Sequence, residues 1–134
     1  MTITLFYSPG ACSLAPHIAL EETGAAFEPV KVALAQGEQK TPAYLAVNPK
    51  GRVPALADGA HIVTENPAIL RYIGRRFPDA KLWPDDDIRL DAACLEWCAW
   101  LSNTIHVHYA HARRMAGRPA VQRAFTREEI ALPA

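Results

Sequence analysis

Turn residues cut the first eighty residues of this chain into an alternation of strand-like and helix-like segments that few folds can accommodate. Ile3 to Tyr7 is a short β-branched and aromatic run, stopped by Ser8-Pro9-Gly10. Leu14 to Thr23 carries Leu14 and Ile18 at helical spacing, with Pro16 in its first turn and Gly24 as its stop. Phe27 to Leu34 returns to a strand pattern. Gln36 to Val47 reads as a loop with one poor helix. Val53 to Ala57 and His61 to Thr64 flank Asp58-Gly59, a hairpin signal. Asn66-Pro67 then reads as an N-cap followed by proline at the first helical position, and the helix ends before Pro78. The order is β-α-β, an irregular link, then β-β-α, an α/β arrangement.

Residues 77–84 (FPDAKLWP) have the composition of a linker, so the chain divides into residues 1–78 and 85–134. Asp85, Asp86 and Asp87 place negative charge where a helix begins. Ile88 to about Met115 contains neither Gly nor Pro and predicts one long helix. Gly117 and Pro119 break it, and Ala120 to Glu129 predicts a short last one.

Composition narrows the function classes. The 134 residues carry 14 basic and 14 acidic side chains, a balance that argues against a nucleic-acid binder. Nothing in the sequence is long and apolar enough to span a membrane, and the N-terminus lacks a secretory pattern. Three Cys do not make a disulfide scaffold, so a reducing cytoplasm is expected. Half of the residues are hydrophobic but 24 are Ala, which favours helix and adds little core volume.

Three positions can carry chemistry. Cys12 follows a strand and turn and precedes Ser13 and a helix, so the positive end of the helix dipole favours its thiolate; an inert, space-filling Cys would look the same. With no second Cys at C-x-x-C spacing, dithiol redox chemistry is disfavoured. Val53-Pro54 places proline at a strand entry, the mark of an edge position or of a cis turn that frees backbone groups for a ligand. Glu65-Asn66 sets a carboxylate beside a helix start, where it can take an ammonium while the cap and free N–H groups take a carboxylate; ordinary capping is the plainer reading.

Taken together, TLFYSPGACSLAPHIALEETG, YLAVNPKGRVPALADG and VTENPAILRYI resemble the glutathione-binding domain of bacterial beta-class glutathione transferases, continuously from about residue 3 to residue 111. The resemblance implies a thioredoxin-like first domain followed by an all-helical second one. It implies that Cys12 contacts the glutathione sulfur or forms a mixed disulfide with it, with Ser13 beside it. The backbone of Val53, held by a cis Pro54, would pair with the cysteinyl part, and Glu65 and Asn66 would hold the γ-glutamyl end. The family has Ser where this chain has Asn66, so weakened binding is expected. LEWCAWLSNTIHVHYAH resembles the first helix of the family's second domain and puts His106 near the ligand thiol.

His106, His108 and His111, with Cys94 and Cys98 nearby, raise the alternative of a metal site. On a helix His106 points roughly 200° away from His108, so the ligands do not converge and no metal is expected. After Met115 the chain runs directly into a segment similar to the family's terminal helix, so the second domain is expected to be reduced to residues 85–134. The implied function is conjugation of glutathione to small electrophiles, or thiol exchange through Cys12, with glutathione as co-substrate and no other cofactor. A non-catalytic glutathione- or protein-binding module is the alternative. Ile88, Leu95, Trp97, Trp100, Leu101 and Ile105 spread over more than one face of the long helix, which predicts a homodimer like those of the family.

Overall fold

A computed structural model describes residues 2–84, 86–108 and 123. It comprises strand β1 (Ile3–Tyr7), helix α1 (Leu14–Thr23), strand β2 (Phe27–Lys31), helix α2 (Pro42–Val47), strands β3 (Ala55–Asp58) and β4 (His61–Thr64), and helices α3 (Asn66–Arg76) and α4 (Ile88–Trp100). The four strands form one sheet in the order β2-β1-β3-β4. β1 pairs with β2 in parallel and with β3 antiparallel, and β3 and β4 form an antiparallel hairpin. This is the thioredoxin-like β-α-β, β-β-α arrangement, followed by helix.

Alternation along β1 distributes its side chains to two layers. Ile3 and Leu5 pack with Leu20 of α1, Leu56 of β3, and Ile69 and Ile73 of α3. On the other side Phe6 packs against Val32, Tyr44 of α2 and Val53. Leu5, Leu20, Leu56, Ile69 and Ile73 are fully buried, each stabilising the fold by about 1.5–3 kcal/mol. Burial raises the Tyr44 hydroxyl pKa above its ordinary value, against the opposing effect of Asn48. The Tyr44 hydroxyl donates to the Arg52 carbonyl at 2.8 Å, so this layer reaches the loop before Pro54.

Several boundaries differ from the sequence reading. β2 ends at Lys31, and Leu34–Gln36 and Glu38–Lys40 are 3₁₀ turns. The hairpin turn is Gly59-Ala60 rather than Asp58-Gly59, because Asp58 still pairs with His61 across the ladder. In α1 the spacing of Leu14 and Ile18 marks the helix but not its buried face; both are exposed, and Pro16 and Leu20 are buried instead. α4 does not run on uninterrupted, for Leu101–Ile105 forms a π-helical turn before His106. The expected helix at 120–129 and the stretch from 109 to 115 lie outside the described residues.

The segment 77–84 is more than a tether. Phe77 packs against the first core layer, and Trp83 is buried against α3 at Gly74, where an added Cβ would collide with Trp83. The Trp83 indole N–H donates to Asp91 at 2.7 Å, and Arg71 of α3 donates to both Asp91 oxygens at 2.8 and 3.0 Å. Residues up to Leu95 thus form one compact unit, and the described residues 96–108 belong to a second. No described helix is long and apolar enough to cross a membrane.

Candidate functional site

The loop between β1 and α1 presents Cys12. Ala11 N–H closes the turn onto the Ser8 carbonyl at 3.1 Å, with Gly10 at φ 71° supplying the left-handed residue that the turn requires. The buried Ser13 hydroxyl holds the loop from inside, donating to the Ser8 carbonyl at 3.1 Å and accepting from the Ser8 N–H at 3.0 Å. Its hydrogen-bonding capacity is directed at the loop. Cys12 itself is half-buried, and its thiol donates to the Val53 carbonyl with a sulfur–oxygen separation of 3.5 Å.

Val53 comes from a second braced loop. The peptide between Val53 and Pro54 is cis. Ahead of it, the Asn48 side chain is fully buried; its Nδ2 donates to the Arg52 carbonyl at 2.7 Å, and its Oδ1 accepts from the Lys50 N–H at 3.1 Å. Gly51 adopts φ 60°, and a Cβ there would lie 3.1 Å from the Gln39 carbonyl oxygen, so a side chain would meet backbone. The N-P-K-G-R run is thereby fixed from beneath by Asn48 and Tyr44.

The start of α3 is the third part. Glu65, not Asn66, is the cap residue, and neither side chain caps the helix. The reading of Asn66 as an N-cap is therefore corrected. Asn66 lies in the first turn and its Nδ2 donates to the Cys12 carbonyl at 2.9 Å. Glu65 holds φ 74° and ψ 127°, a conformation that costs a non-glycine residue about 1–3 kcal/mol and that concentrates at ligand sites. Its carboxylate accepts from Lys50 at 2.6 Å, and Lys50 also donates to Thr64 Oγ1 at 3.1 Å. Both members of this ion pair are more than half exposed, so the carboxylate stays open to solvent.

The structure thus brings Cys12, Val53, Pro54 and Asn66 together, with Glu65 next in line. His106 belongs to the second compact unit, is exposed, and directly follows the π-helical turn. His108 Nδ1 lies 2.6 Å from the Thr104 carbonyl and so must carry its hydrogen; His111 is outside the described residues. Cys94 and Cys98 sit half-buried on α4. Sequence reasoning missed Lys50 as the counter-ion of Glu65. The two are fifteen residues apart, and only their opposite charges within neighbouring motifs hinted at the pairing.

The dipole-positive N-terminus of α3, a strained acidic residue and a half-buried thiol just before α1 thus lie on adjoining loops. Comparison with known proteins identifies the family. The family described as glutathione S-transferase, N-terminal domain, matches residues 1–75. A glutathione S-transferase of Escherichia coli is 40% identical over 104 residues, which cover 76% of this chain and 52% of that protein. One from Xanthomonas campestris is 39% identical over 102 residues, covering 76% and 49%. Among solved structures, a Sulfitobacter glutathione transferase homologue with bound glutathione superposes with a TM-score of 0.76 at 40% identity, covering 89% of this chain and 59% of its own. A beta-class transferase from Sphingomonas chungbukensis reaches 0.71 at 46% identity, covering 87% and 57%. The chain spans about half the length of the curated relatives that it matches. Its three braced loops and the match over more than half its length place it, by descent and by fold, in the glutathione S-transferase family.

Proposed function

We propose that the chain binds glutathione across Cys12, Val53, Pro54, Glu65 and Asn66 and uses it to conjugate small electrophiles or to exchange thiols through Cys12. One observation carries this reading: the Cys12 thiol lies 3.5 Å from the Val53 carbonyl while the Cys12 carbonyl is held by Asn66, so three separate motifs meet at one residue. The Val53 backbone pairs with the cysteinyl unit of the peptide. Glu65 takes the γ-glutamyl ammonium, and the open N-terminus of α3 favours its carboxylate. Ser13 acts by holding the loop that presents Cys12. His106 is assigned near the ligand thiol by the family resemblance. Residues 1–78 serve as the glutathione-binding domain and residues from 85 onward as the helical segment; glutathione is the co-substrate, with no further cofactor. A cytoplasmic homodimer acting in detoxification is the setting that this reading implies. The glutathione bound in the Sulfitobacter structure supports the ligand assignment.

The test is glutathione-dependent consumption of chlorodinitrobenzene, and separately of a glutathione mixed disulfide, by the wild type, Cys12→Ala and His106→Ala. Turnover that falls in Cys12→Ala supports the reading. Saturable glutathione binding without turnover in either assay would instead identify a binding module.

A further inference from the structure

The geometry points to Asn66 as a positioning residue for Cys12, tying the start of α3 to the loop that presents the thiol. Cys12 directly precedes the cap of α1, and the residue four places on is Pro16, which has no N–H to offer the Cys12 carbonyl. The first intrahelical bond therefore runs from His17 to the Ser13 carbonyl, at 3.2 Å, and Cys12 is left outside it. Asn66 Nδ2 supplies the missing donor at 2.9 Å from a helix fifty-four residues away in sequence.

The other end of the same amide shows that this bond sets its placement. Asn66 Oδ1 is buried and accepts no hydrogen bond among the described residues. Turning the amide over would set two oxygens against each other, so Nδ2 must face Cys12. A side chain chosen to cap α3 would leave neither the unpaired oxygen nor the bond across the fold, and Asn66 does not cap. The clamp acts on the backbone of Cys12, while Val53 engages its thiol; together they fix both ends of one residue. Glu65, the neighbour of Asn66, is thereby joined through a single side chain to the thiol loop.

This inference rests on Cys12 being the reactive thiol, and its test does not require glutathione to bind. Iodoacetamide alkylates a thiolate by forming an S–C bond and releasing iodide, and mass spectrometry reads the site of attachment. In the full chain, Asn66→Ala and the isosteric Asn66→Asp, which keeps the shape but loses the donor, should slow alkylation at Cys12 by roughly fivefold or more, because a displaced loop carries the thiol away from the positive end of α1 that favours its thiolate. Glu22→Ala, an exposed substitution on α1 outside the site, should leave that rate unchanged. Binding of S-methylglutathione, followed by calorimetry, should fall in Glu65→Ala more than in either Asn66 variant. Wild-type alkylation rates in a folded Asn66→Asp protein would overturn the proposal, as would an equal change at Cys94 and Cys98, which would signal an effect on the whole fold and not on the Cys12 loop. Should Asn66→Ala fail to fold, Asn66→Asp and Asn66→Ser carry the same comparison. Failure of S-methylglutathione to bind the wild type would count against the glutathione reading and leave the alkylation result to decide this one.

Discussion

At the scale of single residues, the site is built from polar groups that brace backbone instead of filling the groove. Ser13, Asn48 and Asn66 each spend a side chain on a carbonyl or N–H of the loops that carry Cys12 and Val53. Glu65 is the exception, since its backbone stores strain. Two predictions follow the two roles of that residue. Glu65→Ala should weaken glutathione binding by about 1.5–3 kcal/mol, the scale of a hydrogen bond to a charged group, as titration calorimetry would measure. Glu65→Gly should lose binding similarly yet melt at a higher temperature than Glu65→Ala, because glycine relieves a left-handed conformation that costs other residues about 1–2 kcal/mol. Equal melting temperatures would mean that the strain is absent in solution. Lys50→Met, by contrast, should cost less than about 1 kcal/mol, for its ion pair is exposed.

At the scale of elements, the sequence was most legible where local chemistry decided the outcome. β1 and α1 begin and end where Pro9, Gly10 and Gly24 dictate. The hairpin turn slipped by one residue because Asp58 is held in the ladder by its partner strand and by α3, from which Tyr72 and Arg76 donate to its carboxylate at 2.9 and 3.3 Å. The capping role of Asn66 was misread for a similar reason, since its partner lies across the fold. Leu14 and Ile18 revealed a helix without revealing its buried face. The motif residues Cys12, Val53, Pro54 and Glu65 were legible because each sits at a turn or helix start. Lys50 and the Asn66 clamp were not, because tertiary contact alone creates them.

The packing of the 77–84 segment onto α3 gives two further predictions at this scale. Gly74→Ala should destabilise by roughly 1–3 kcal/mol, since the added methyl meets the Trp83 backbone and Cβ, and urea melts would show it. The indole N–H of Trp83, and then the Arg71 guanidinium, hold the Asp91 carboxyl below the usual carboxylate range. A carboxyl with a lower pKa folded than unfolded binds fewer protons in the native state, so its stabilisation is complete at neutral pH and is lost as pH falls. Thermal melts should therefore separate wild type from Asp91→Asn at neutral pH, and the gap should close below about pH 4. A gap that widens on acidification would contradict the assignment. Tyr72 and Arg76 lower the Asp58 carboxyl in the same direction.

For the whole molecule, the sheet unit buries its core well, whereas α4 and the turn after it leave Ile88, Trp97, Trp100, Leu101 and Ile105 exposed. Trp97 and Trp100 stack edge to face at 5.6 Å on that surface. Leaving such side chains in water forgoes about 1.5–3 kcal/mol each, which favours pairing with a second copy. Light scattering should report a dimer at micromolar concentration, and Trp97→Asp should shift it toward monomer; a well-folded wild-type monomer would refute the pairing.

The central claim is that three braced loops form one glutathione site centred on Cys12. Calorimetric titration of the folded chain with glutathione, run beside Glu65→Ala, tests it most directly. Saturable, one-to-one binding is expected at millimolar glutathione or below, weakened in Glu65→Ala. Absence of saturable heat in the wild type, or equal affinity in both proteins, would contradict it.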